Sequence, residues 1–142
     1  MNAAIPLYEL SFYGIQDPGV PNSERVTFRA AADVNLSEFG IALGWLNDSG
    51  TVVPLSLKTL WLGNVDVSAG SWVLIYTGDG KYTESTIEGT ADKVHVFHWG
   101  AKSTYFNFDR FVPFLFTIGR TQICIPQPKL TFNVERPALK NT

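Results

Sequence analysis

Apolar and polar residues alternate with a period of two along most of this chain, and no stretch sustains the 3.6-residue period of a helix. The alternation is clearest over residues 24–31. There Val26, Phe28 and Ala30 fall on one face, while Arg25, Thr27 and Arg29 fall on the other, which reads as solvated. Over residues 39–46, Phe39, Ile41, Leu43 and Trp45 share one face and Gly40, Ala42 and Gly44 share the other. A face of such small residues admits a large ring, and a neighbouring tryptophan packed over the glycines is the expectation. Residues 71–77 are apolar on both faces, with Val73 and Ile75 opposite Trp72, Leu74 and Tyr76, as in a central strand covered on two sides.

Turn chemistry punctuates these runs. Residues 47–50 (Asn-Asp-Ser-Gly) form a hairpin turn, because Asn, Asp and Gly tolerate positive φ. Ala69-Gly70 launches the central run and residues 78–80 (Gly-Asp-Gly) stop it. Further strands are expected over residues 5–13, 51–57, 58–63, 94–100, 103–107, 111–118, 121–126 and 130–134, with Pro113 breaking the sixth of these eight. Residues 33–38 have room for a single helical turn capped by Asn35 or Ser37. Nine to ten short strands with no helix of consequence predict an all-β fold, a β-sandwich of one domain over residues 1–142, with 120–142 as a C-terminal strand and tail extension. Residues 81–93 are the one markedly polar stretch and read as a surface loop of functional length.

Composition sharpens this picture in two ways. Aromatic residues make up 13% of the chain, more than the interior of one small domain needs, so an interface with a protein partner or with further copies of the chain is expected. The formal charge is −2 and the basic residues are scattered singly, so no row of phosphates is matched and duplex nucleic acid is not an expected partner. The aromatics could stack single-stranded bases, but no Lys or Arg is interleaved with them in sequence. The opening residues lack a basic region followed by an apolar one, and no apolar run is long enough to span a membrane, so a cytoplasmic location is expected. The lone Cys124 excludes an internal disulfide.

Candidate chemistry is sparse. His95 and His98 are three apart and point to opposite faces of a strand, so they do not chelate one metal, and neither metal nor cofactor is expected. His98, between Phe97 and Trp99, reads as a core histidine with a satisfied hydrogen bond. Residues 78–80 lack the helix and the Lys-Ser/Thr ending of a phosphate-binding loop and read as a turn. Cys124, in the strand Gln-Ile-Cys-Ile, reads as a small buried hydrophobe.

One order of features resembles a known family. A Gly-rich strand ending in Trp45 precedes an aromatic strand and the run Val67-x-Ala69-Gly70-x-Trp72-Val73-Leu74-Ile75-Tyr76. Trp99-Gly100, Tyr105-Phe-Asn-Phe-Asp109 and the apolar run Val112 to Ile118 follow. Over residues 36–118 this is similar to the lamin-tail class of immunoglobulin-like sandwiches, and to small uncharacterised bacterial or phage proteins of the same outline. The chain departs from that pattern in its first strand, in the 81–93 loop and after Gly119. The resemblance implies an immunoglobulin-like β-sandwich that binds proteins, occasionally nucleic acid, without catalysis or cofactor.

Three functions are consistent with these readings. The first is a non-enzymatic binding or assembly module, with Leu130 and Phe132 of the tail available to another sheet's edge. The second is a small-molecule or nucleotide binder with the 81–93 loop as a lid over Tyr76, Tyr82 and His98. The third is a hydrolase built on His95 or His98 with Asp92 or Asp109 as orienter.

Overall fold

The computed structural model describes residues 7–55 and 59–126, and among these residues the fold is all-β. Its strands are β1 (Leu10–Gln16), β2 (Arg25–Ala30), β3 (Val34–Asn35), β4 (Phe39–Leu46), β5 (Val52–Pro54), β6 (Leu60–Trp61), β7 (Asp66–Val67), β8 (Trp72–Tyr76), β9 (Thr83–Thr86), β10 (Lys93–His98) and β11 (Phe111–Thr117). The helical turn is a single 3-10 turn, Leu36–Glu38, and Asn35 caps it by accepting from the Ser37 backbone N–H at 2.9 Å.

Five strands form the larger sheet in the order β1-β2-β8-β10-β9, four form a second in which β4 is flanked by β11 and by β5 and β6, and β3 pairs β7 in a short ribbon. The alternation in sequence becomes register here. On the inner face Val26, Ile75 and Phe97 form one cross-strand row, and Phe28, Val73 and His95 form the next. These rows pack with Phe39, Ile41 and Leu43 of β4 into one apolar core that also takes in Leu36, Trp99 and Phe106. Burying each large aliphatic or aromatic side chain there contributes about 1.5–3 kcal/mol. The outer face carries the complementary rows Arg25–Tyr76–His98 and Arg29–Trp72–Val94. That face is half-buried rather than covered, so β8 is central within its sheet but enclosed on one side only.

Strands β8 and β10 are parallel neighbours, and a parallel pair needs a long return connection. Residues 81–92 supply it, and they do so as a strand. The expected loop carries β9, which pairs antiparallel with β10 from Thr83↔Val96 to Thr86↔Lys93 and forms the sheet's edge. Its four exposed polar side chains hid it from a reading based on apolar alternation.

Other expectations also shift. The first strand runs from Leu10 to Gln16 rather than over residues 5–13, with a bulge between Phe12 and Gly14. Residues 103–107 form no strand, because their backbone serves a buried carboxylate instead. Glu24 is fully buried; it accepts from Thr77 Oγ1 at 2.6 Å and from the backbone N–H groups of Gly19, Tyr105 and Phe106 at 2.7, 2.8 and 3.0 Å. Four charge-assisted bonds tie the loop before β2, the end of β8 and the segment after β10 to one point. Pro113 does not break β11. It pairs opposite Leu43 in a strand that bonds to β4 alone among the described residues, so its missing N–H faces the open edge. Residues 121–126 form no strand, and Cys124 is exposed rather than buried. The expected strand at 130–134, with Leu130 and Phe132, lies outside the described residues.

On β4 the small-residue face is filled as the pattern implies. A Cβ on Gly40 would come within 2.6 Å of the Phe116 ring and 3.2 Å of Trp61, whose rings meet edge to face at 5.3 Å. No helix among the described residues is long and apolar enough to cross a membrane.

Candidate functional site

His95 is the polar member of an apolar row. Strand register places it between Val73 and Glu84, and the inner-face core leaves it 2% exposed. Its neighbour Glu84 belongs to β9, and Tyr82 lies just before that strand on the same face. The Tyr82 hydroxyl is 2.8 Å from His95 Nδ1 and 3.1 Å from Glu84 Oε1, and Lys93 Nζ donates to Glu84 Oε2 at 2.7 Å. The Tyr82 ring also packs on Phe97 at 5.0 Å.

The protonation states of this chain of groups follow from its surroundings. Burial holds His95 below the ordinary imidazole value, against a smaller upward pull from the Glu84 charge. Hydrogen bonds from Lys93 and Tyr82 hold Glu84 below the ordinary carboxylate range. Burial, together with the Glu84 bond, pushes Tyr82 up to about 12. At neutral pH the chain therefore reads Lys93 ammonium, Glu84 carboxylate, Tyr82 phenol, neutral His95.

His95 also lines a cleft of ≈ 530 Å³ between β10 and the β3–β7 ribbon, whose walls include Asp33, Asn35, Asp66, Ser68 and Lys93. The ribbon holds its polar side chains by mutual bonds. Asn35 Nδ2 donates to Asn64 Oδ1 at 2.7 Å and to Asp66 Oδ1 at 2.8 Å, and Asp33 Oδ1 accepts from the Ala69 N–H at 2.9 Å. Among the described residues no group of three His, Cys, Asp or Glu side chains is placed to hold a metal ion.

The structure separates the residues that sequence had grouped. Tyr82 joins His95 on the inner face, whereas Tyr76 and His98 stack at 5.4 Å on the outer face. His98 is not the satisfied core histidine. It is half-buried against Gly80, and its Nδ1 has no hydrogen-bond partner among the described residues. The orienting groups of His95 are Tyr82 and Glu84, not Asp92 or Asp109. Glu84 could have been found only through strand pairing, since it lies eleven positions away in a stretch read as a loop.

No family model, curated protein or solved structure matches this chain.

Two further surfaces bear on function. Arg25 stacks over Tyr76 at 5.6 Å and Arg29 over Trp72 at 5.2 Å, so the guanidinium groups missing from the aromatic runs in sequence stand beside those rings in space. Arg25 also pairs with Asp17 at 2.9 Å. The second surface is β11. Ile118 N–H bonds to the Glu38 carbonyl and Leu46 N–H to the Arg110 carbonyl, which sets the even-numbered residues of this strand toward β4. Leu115 and Thr117 then direct N–H and C=O groups outward. Beyond them Ile123 and Ile125 are 82% and 77% exposed.

Proposed function

We propose that this protein is a non-enzymatic binding module that works through protein–protein contact, either with a partner or with a second copy of itself. The observation that supports this reading is the apolar strand β11, whose outer edge no other described strand covers, continued by exposed Ile123 and Ile125. An added strand would find backbone donors and acceptors at Leu115 and Thr117, while Pro113 bars pairing along the first half of the edge. The order of motifs similar to lamin-tail domains, an immunoglobulin-like class that binds proteins, agrees with this reading.

Light scattering on the full-length protein, alongside an Ile123→Asp/Ile125→Asp double variant, tests it. The expected result is concentration-dependent association, or capture of a defined partner, that the double variant loses with its unfolding midpoint unchanged. Identical behaviour of the two proteins overturns it.

A second reading is a small-molecule site between β10 and the β3–β7 ribbon, at the end of the 81–93 segment. The cleft beside His95 favours it, because a concave site with a few oriented polar groups is what such ligands use.

A further inference from the structure

Strand β11 is apolar on both faces, and its hydrogen bonds fix how much of its outer edge an added strand can use. Phe111 and Leu115 pack against the core on one face, and on the other the Phe116 ring meets Phe114 at 6.2 Å and Trp61 at 5.3 Å. The even-numbered residues bond to β4, so the outward groups belong to Phe111, Pro113, Leu115 and Thr117. Phe111 already donates its N–H to the Phe108 carbonyl at 3.2 Å, and Pro113 has none to give. The usable edge is therefore residues 113–117, with donors at Leu115 and Thr117 and carbonyls at Pro113, Leu115 and Thr117.

The chain carries a segment of matching length and pattern. Residues 130–134, Leu-Thr-Phe-Asn-Val, alternate apolar and polar and lie beyond the described residues. Added beside β11, Leu130, Phe132 and Val134 would extend one apolar face of the sheet. Segment 119–126 decides whose edge they take. All of its residues are exposed, Ile123 and Ile125 most of all. A tail returned to its own β11 leaves those isoleucines in water, whereas a tail carried to a second copy lays them against a neighbour. Twofold symmetry then lets each copy give one tail and receive one.

Resting on the protein-contact reading of β11, we infer that the partner is a second copy of this chain, with residues 130–134 of each copy added as a strand to residues 113–117 of the other.

The test uses the full-length chain and two variants. Thr117→Pro removes an outward N–H while leaving the bonds between β11 and β4 in place. Leu130→Asp/Phe132→Asp spoils the apolar face of the tail and alters no described residue. Light scattering and amide exchange are measured on each protein and on an equimolar mixture of the two variants. The expected result is a dimer of the full-length chain with slowed exchange at Leu115 and Thr117, and monomers with fast exchange at Leu115 in both variants. The mixture is expected to regain a dimer, because one variant still brings a tail and the other still brings an edge. A full-length chain that is monomeric at every concentration overturns the exchange and leaves the edge to a different protein. Association lost in Thr117→Pro but kept in Leu130→Asp/Phe132→Asp also overturns it, because another segment then occupies the edge. A mixture that stays monomeric overturns the exchange between copies. Association unchanged in both variants overturns the exchange and the reading of β11 as a contact together.

Discussion

Tyr82 Oη stands 2.8 Å from His95 Nδ1, and this one bond joins an exposed edge segment to a histidine set in a row of the apolar core. The pairing makes a surface strand answerable to the protonation state of a buried ring. It also gives the 81–93 segment a structural purpose beyond returning the chain between two parallel strands.

A pH dependence of stability follows from the His95 environment. Its folded value lies below the ordinary 6.5, so near and below that pH the unfolded chain binds more protons than the folded one. Stability is therefore full above 6.5, declines as pH falls through it, and levels off below the folded value. Glu84, also lowered when folded, adds a loss of the same sign at more acid pH. Urea unfolding at about pH 8 and about pH 5 is expected to show the decline, and His95→Gln to flatten its upper part. An unchanged slope in that variant would show that other groups carry it.

Glu24 is expected to be among the most sensitive positions of the chain. Glu24→Ala leaves one hydroxyl and three backbone donors without their carboxylate, and the cost is about 3 kcal/mol or more. Glu24→Gln keeps the shape but turns an amide group toward the donors, costing about 1–3 kcal/mol. Denaturant midpoints for both variants decide the point, and a loss under about 0.5 kcal/mol in Glu24→Ala contradicts the clamp.

Gly80 and His98 are coupled by contact. A Cβ at Gly80 collides with the His98 ring, so Gly80→Ala is expected to destabilise by about 1–3 kcal/mol. His98→Ala removes the obstacle, and the double variant is expected to be more stable than the sum of the single losses allows. A double-mutant cycle with no interaction energy would rule the contact out.

The same logic applies to β4 with a different neighbour. Gly40→Ala is expected to cost about 1–3 kcal/mol by pressing on Phe116 and Trp61, whereas Gly50→Ala meets no atom within 4 Å and suffers only from its φ of 85°. Thermal melts of the two variants, with near-ultraviolet circular dichroism, separate disturbed ring packing from backbone strain. A native aromatic spectrum and unchanged melt in Gly40→Ala would contradict the packing.

Cys124 is exposed, so it is expected to react with a thiol reagent in the folded protein without added denaturant. Protection until denaturant is added would restore the buried reading.

Much of the fold was legible in the residues themselves. Alternation at 24–31, 39–46 and 71–77 located β2, β4 and β8 and sorted their faces, because side chains on a strand alternate whatever it pairs with. Gly40 predicted a covering ring, although it took register to add Phe116 to Trp61. What the residues could not show was pairing. β9 has no apolar face, so nothing local distinguishes it from a loop, and only the hydrogen bonds of β10 make it a strand. Residues 103–107 read as a strand paired after a tight connection, but Glu24, 81 positions from Tyr105, claims backbone donors of this stretch. The two histidines were read in reverse for the same reason. Sequence places them on opposite faces, and only the packing of the sheets decides that the His95 face is the buried one. The candidate site was therefore the least legible feature of the chain. It brings together Asp33, Asp66, Glu84 and His95 from four separate stretches, and tertiary structure alone converts such scattered residues into neighbours.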